Sequence, residues 1–199
     1  MDINTSYRTI TREQFLFHEM RIVARLIKEG KSDEQIIQEV TDNNLFQYPT
    51  ERMIKNITQV CLNRFNKANS HEWIDIVAND SADAAKQACL FLMMNYYRLV
   101  WEFMITVIGE KYRTKDTSFT KMDLNSFFTR LQEQNDVVAS WSDATSGKCK
   151  QVLKKTLVEN GYLDNSRSEV LNPVLLDFRV KEAIEDSNNK EALIAFGCM

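Results

Sequence analysis

Residues 81–112 read SADAAKQACLFLMMNYYRLVWEFMITVIGEKY, about thirty positions that are strongly apolar and broken only by isolated polar residues such as Asn95, Arg98 and Glu102. A run of this kind is expected to be the central helix or helix pair of a core. The same three residues argue against a membrane span. Composition agrees: of 199 residues, 44% are hydrophobic and 27% charged, with five Gly and two Pro, which suits a globular, mainly helical chain over a disordered or sheet-rich one. The length allows one compact domain or two small ones.

Upstream of that run, Thr11 followed by Gln14 reads as a capping box opening a helix over about 12–29, with Phe15, Met20, Ile22, Val23, Leu26 and Ile27 at helical spacing and Gly30 at the end. Ser32 and Gln35 repeat the box for a shorter helix with Ile36, Ile37 and Val40 inward. Pro49, in LFQYP, precedes a third helix through Ile54, Ile57, Cys61 and Phe65, and Leu45, Phe46 and Tyr48 are expected to plug the junction. A short helix follows near Glu72–Val77.

Downstream, RTKDTSF at 113–119 is a polar joint and the best candidate for a boundary. Thr120 with Asp123 caps a helix over Leu124, Phe127, Phe128 and Leu131; a short piece at 137–141 follows, and then SDATSGKCKQVLKKTLVENGYL at 142–163. Three short helices in this order suggest a helix-turn-helix. Residues 168–172 have extended character, with a turn at Asn165–Ser166–Arg167, as expected of a small wing. Residues 174–186 and 189–196 return to helical spacing. The expected fold is therefore mainly α: an N-terminal helical bundle over 1–115, then a winged helix-turn-helix-like region over 116–199 with at most a short β-hairpin, its last helices packing back on the body.

The net charge of −3 exerts no overall pull on phosphate, so nucleic-acid binding would have to come from a local patch. Between Ala144 and Lys155 there are four lysines and no acid. A helical wheel puts Cys149, Val152, Leu153, Thr156 and Leu157 on one side and Gly147, Gln151 and Lys154 opposite, flanked by Lys148, Lys150 and Lys155. In a winged helix this third helix would enter the major groove with Thr145 and Ser146 leading. Without Arg, and with only Gln151, Ser146 and Thr145 for base edges, the face predicts backbone affinity with modest readout. Arg21, Arg25 and Lys28 form a second candidate basic face on the first helix, set against the plainer reading of a solvated face with internal ion pairs.

Catalytic patterns are missing from the sequence: no phosphate-binding glycine loop, no GxSxG, no HExxH. His18 and His71 are isolated, and His18, one turn from Phe15 and Ile22, reads as a half-buried packing residue. Asp80 with Asp83 reads as capping, and the Met93–Met94 and Tyr96–Tyr97 pairs as core. Cys61, Cys89, Cys149 and Cys198 are far apart, with no CxxC and no nearby histidine, so neither a zinc site nor a disulfide framework is expected. No metal, cofactor or enzymatic activity is expected. MDINTSYRTI carries no apolar signal-peptide core, and a cytoplasmic protein is expected.

The run FLFHEMRIVARLIKEGKSDEQIIQEVTDNNLFQYPTERMIKNITQVCLNRF, above all EMRIVARL, NLFQYPTER and CLNRF, resembles the signature region of the BrxA family of bacterial BREX phage-resistance systems. WSDATSGKCKQVLKKTLVENGYL is similar to a second block of that family. The resemblance implies a NusB-like helical fold and a non-catalytic accessory component that binds DNA, with RNA the other nucleic-acid candidate and other BREX proteins as partners. No catalytic residue is carried over. The acidic tail after Asp177 departs from a phosphate-binding surface and suits a protein partner. The competing reading is an adaptor that recruits larger subunits through the LFQYP surface, with Phe46 and Tyr48 as its contacts.

Overall fold

A computed structural model of the chain describes residues 6–198. About 68% of the chain is helical, which makes the fold mainly α, as expected. Helix α1 (Phe17–Lys28) packs on α4 (His71–Asn79), and α2 (Asp33–Asp42) on α3 (Glu51–Ala68). Against α3 and α4 lies α5 (Ala82–Tyr96), whose residues 84, 85 and 87–95 are all buried. A helix enclosed over most of its surface must be apolar over most of it, which is why this stretch lacks a broad polar face and leaves only its first residues, Lys86 and Tyr96 partly open. The chain breaks at Tyr97 (φ −114°, ψ 111°) and resumes as α6 (Arg98–Phe103), a π-helical segment (Met104–Gly109) and α7 (Glu110–Thr114). The expected central run is thus a helix pair.

Two of the sequence-level caps form as written, and Thr50 supplies a further one. Ser32 and Gln35 make a reciprocal capping box, Thr120 and Asp123 make another, and Thr50 accepts from the Met53 amide at the start of α3. The Thr11–Gln14 box does not form. Helix α1 begins only at Phe17, preceded by Leu16 in the left-handed region (φ 61°) with no side-chain cap. The reason is tertiary: the carbonyls of Glu13, Gln14 and Phe15 all accept from the buried guanidinium of Arg64 and are withdrawn from helix formation.

After the polar joint come α8 (Lys121–Gln134), the single turn α9 (Asp136–Ala139) and α10 (Asp143–Glu159). The expected wing does not form a hairpin. Residues 169–171 instead pair across the molecule with the joint: the Phe119 amide donates to Glu169 at 2.8 Å, and the Leu171 amide to Thr117 at 2.7 Å. Ser118 and Val170 form the antiparallel bridge.

The helix expected from 174 starts only at Phe178, as α11 (Phe178–Asp186), because Asp177 caps it and Gln87 grips the backbone on both sides of Leu176. Leu175 and Phe178, two of the apolar residues that give 174–186 its helical spacing, face solvent and do not pack back on the body. A 3-10 turn (Lys190–Phe196) then packs on the π-helical segment. Apolar side chains from both sides of residue 115 join one contiguous core, in which Phe103 meets Phe119 and Phe127 at ring-centroid separations of 6.2 and 5.4 Å.

Candidate nucleic-acid interface

The α10 helix starts at Ser142, whose hydroxyl accepts from the Thr145 amide at 3.2 Å. Its inner face is the one the wheel predicts, with Cys149, Val152, Leu153, Thr156 and Leu157 buried. Ser146 joins them at 5% exposure, and its hydroxyl lacks a hydrogen-bond partner. Ser146 therefore cannot read a base edge from this position. Thr145 is half-buried, its hydroxyl 3.0 Å from that of Ser142.

On the outer face Lys148, Gln151 and Lys155 are exposed and Lys154 is half-exposed. The lysines do not all point the same way. Lys150 turns toward α8, its ammonium 2.9 Å from Asn125 Oδ1 and 5.2 Å from the Phe128 ring centroid. Lys155 turns toward the N-terminal segment, donating to Gln14 Oε1 at 2.7 Å and lying 3.5 Å from Glu159. Surface contacts of this kind contribute little stability, so they orient the two ammonium groups without withdrawing them from solvent.

The N-terminal segment 7–16 anchors α10 to the bundle. The Cys149 thiol lies against the Ile10 backbone, Gln14 meets Lys155, and on the far side Tyr7 donates to Glu102 at 2.6 Å and Tyr97 donates to Glu13. Burial pushes the Glu13 carboxyl above its ordinary value, against the pull of Arg64 and Arg8. Burial, followed by Glu102, pushes the Tyr7 hydroxyl up to about 12.

The second basic face is largely occupied. Arg21 donates to the Asp80 carbonyl at 2.7 Å, and Lys28 pairs with Asp75 at 2.5 Å; only Arg25 of the three stands exposed without such a contact. The plainer reading, a face with internal ion pairs, fits this geometry. Phe46 is 5% exposed, and half-buried Tyr48 donates to Glu19 at 2.5 Å. The two rings meet edge to face, 5.8 Å apart. They plug the junction, and Phe46 is not open to a partner. His18, expected half-buried, is exposed.

Sequence reasoning missed Arg64, Arg12 and Lys86. Arg64 sits at a helical position among apolar residues, a signal that could have marked it as buried. Arg12 and Lys86, which border the same cleft as Lys155, share no sequence pattern. Among the described residues no group of three His, Cys, Asp or Glu side chains could hold a metal, and Cys61, Cys89 and Cys149 are buried free thiols. No helix of the described residues is long and apolar enough to cross a membrane.

Fold and surface together define a small, mainly helical protein whose acid-free lysine stretch lies on the outward side of a single well-anchored helix. The chain belongs to the BrxA family, whose model matches residues 6–188. It is 34% identical over 169 residues to a BREX protein BrxA of Bacillus cereus (strain H3081.97), covering 84% of each chain. A BREX protein BrxA of Escherichia coli O9:H4 (strain HS) is 23% identical over 158 residues, 79% of this chain and 74% of its own. In fold the chain is similar to the crystal structure of an uncharacterized protein from Magnetospirillum magneticum, with a TM-score of 0.82 and 20% identity over 96% of this chain and 97% of that one.

Proposed function

We propose that the protein is an accessory component of a BREX phage-defence system that binds double-stranded DNA through the outer face of α10 and works beside other BREX proteins in the cytoplasm. Kinship with BREX proteins named BrxA supports its place in such a system. The observation that carries the DNA reading is the stretch from Ala144 to Lys155, with four lysines, no acid and an exposed Gln151. Ammonium groups in this arrangement neutralise phosphates and release counterions, while Gln151 alone offers a bidentate side chain to a base, so affinity is expected to exceed sequence discrimination. Net acidity elsewhere keeps the rest of the surface off the duplex and limits contact to this face.

Fluorescence anisotropy of a labelled random duplex across a salt series tests this reading, with single-stranded DNA and RNA of the same length as competitors. Binding that falls steeply with salt supports it. No duplex binding even at low salt would overturn it.

A further inference from the structure

The start of α1, together with α3, α5 and the end of α10, encloses an open cleft of about 580 Å3. Phe17, Met53 and Ile57 supply its apolar floor, and Arg12, Lys86 and Lys155 its cationic rim. Met53 is 45% exposed, high for a large apolar side chain. The carboxylates at the edge are already engaged, Glu19 by the Tyr48 hydroxyl and Glu159 by Lys155. An apolar floor beside Arg12 and Lys86, which form no ion pair among the described residues, suits an apolar side chain followed by acids.

Such a feature occurs on this same chain. Leu175 is 92% exposed and Phe178 69%. Their placement is imposed: buried Gln87 donates from Nε2 to the Leu175 carbonyl and accepts at Oε1 from the Asp177 amide, each at 2.8 Å. Helix α11 buries Val180, Ala183 and Ile184, which puts Phe178 on the outward side with Glu182 one turn on. Residues 161–199 hold seven acids against four bases. Two adjacent residues of α5 tie the features together, since Lys86 lines the cleft and Gln87 holds the hook.

We propose that the cleft of one copy takes the Leu175–Phe178 hook of a second copy, with Glu182 set against the Arg12–Lys86 rim. The two surfaces differ, so a single contact would be head-to-tail. A two-fold arrangement that docks each hook in the other's cleft closes a dimer. The cleft shares Lys155 with the face proposed for DNA, but the proposal does not rest on that reading and is tested without DNA.

Sedimentation velocity of the full chain over a wide concentration range is expected to show a monomer–dimer equilibrium. Phe178→Asp, an exposed substitution checked for an unchanged thermal midpoint, is expected to weaken it roughly tenfold or more. Lys86→Glu and Glu182→Lys should each weaken it, and combining them in one chain should restore much of the loss. A monomer at every concentration, or a dimer indifferent to Phe178→Asp and Lys86→Glu, would overturn the proposal.

Discussion

The guanidinium of Arg64, fully buried in α3, donates 2.8 Å to the main-chain carbonyl of Phe15, forty-nine residues earlier. It also reaches Gln14 at 2.7 Å and lies 5.3 Å from the Tyr97 ring centroid. A buried cation is tolerated only where it is paired or hydrogen-bonded, and here main-chain carbonyls take that part. One side chain thereby fixes the path of the segment that anchors α10.

Replacing Arg64 with Met should therefore cost far more than its packing alone, because the carbonyls of Gln14 and Phe15 would stay buried without a donor. We expect a loss of about 3 kcal/mol or more, read from the urea midpoint. A change within about 0.5 kcal/mol would show that the segment holds its path without the guanidinium.

Gly109 closes the π-helical segment at a point where a Cβ would lie 2.4 Å from Ile194 Cγ2. Gly109→Ala sets a clash costing about 1–3 kcal/mol against a helix-propensity gain of about 1 kcal/mol. The clash should win in the wild-type background. With Ile194→Ala also present the obstacle is gone, and Gly109→Ala should become neutral or stabilising, a non-additivity that thermal melts of the four variants will reveal.

Changing Lys148, Lys150, Lys154 and Lys155 together to Gln should abolish most duplex affinity and reduce the salt slope by about 2–4, near one for each phosphate that is no longer neutralised. Ser146→Ala is the matched control on the buried side of the same helix. It removes an unsatisfied hydroxyl and should leave both DNA binding and its salt dependence unchanged. Unchanged affinity in the quadruple variant would move the interface off α10.

Hydrogen bonds from Lys28 and then Arg179 hold the Asp75 carboxyl below its ordinary value of 3.8, linking α1 and α11 to α4. The unfolded chain takes up this proton at higher pH than the folded one. The stabilisation is therefore present above about pH 4 and lost as pH falls through the lower folded value. Asp75→Asn should flatten the decline of stability in that acid range, as measured by urea melts at successive pH values, while leaving the slope near neutrality unaltered.

The sequence alone determined the helical class, most helix positions, the boxes at Ser32 and Thr120 and the inner face of α10, because each depends on residues within a few positions of one another. Periodicity and capping are local physics. Where the chain departs from that reading, the cause lies far away along it. Arg64 takes the carbonyls that a Thr11 cap would have served, and Gln87 holds residues 175–177 out of helix and turns Leu175 outward. The extended stretch at 169–171 finds its partner at residues 117–119, which excludes the hairpin.

The candidate interface divides in the same way. Spacing determined which side of α10 carries the lysines, whereas their individual directions, toward Asn125 or toward Gln14, were decided by neighbours that no helical wheel contains. For Arg21 and Lys28 the sequence allowed either a binding face or internal pairing, and the packing of α1 on α4 decides it by bringing them the Asp80 carbonyl and the Asp75 carboxylate. Charge can be counted along a chain, but whether a charge remains available depends on which opposite charges and carbonyls the tertiary fold sets within about 3 Å of it, and that distance exists only in three dimensions.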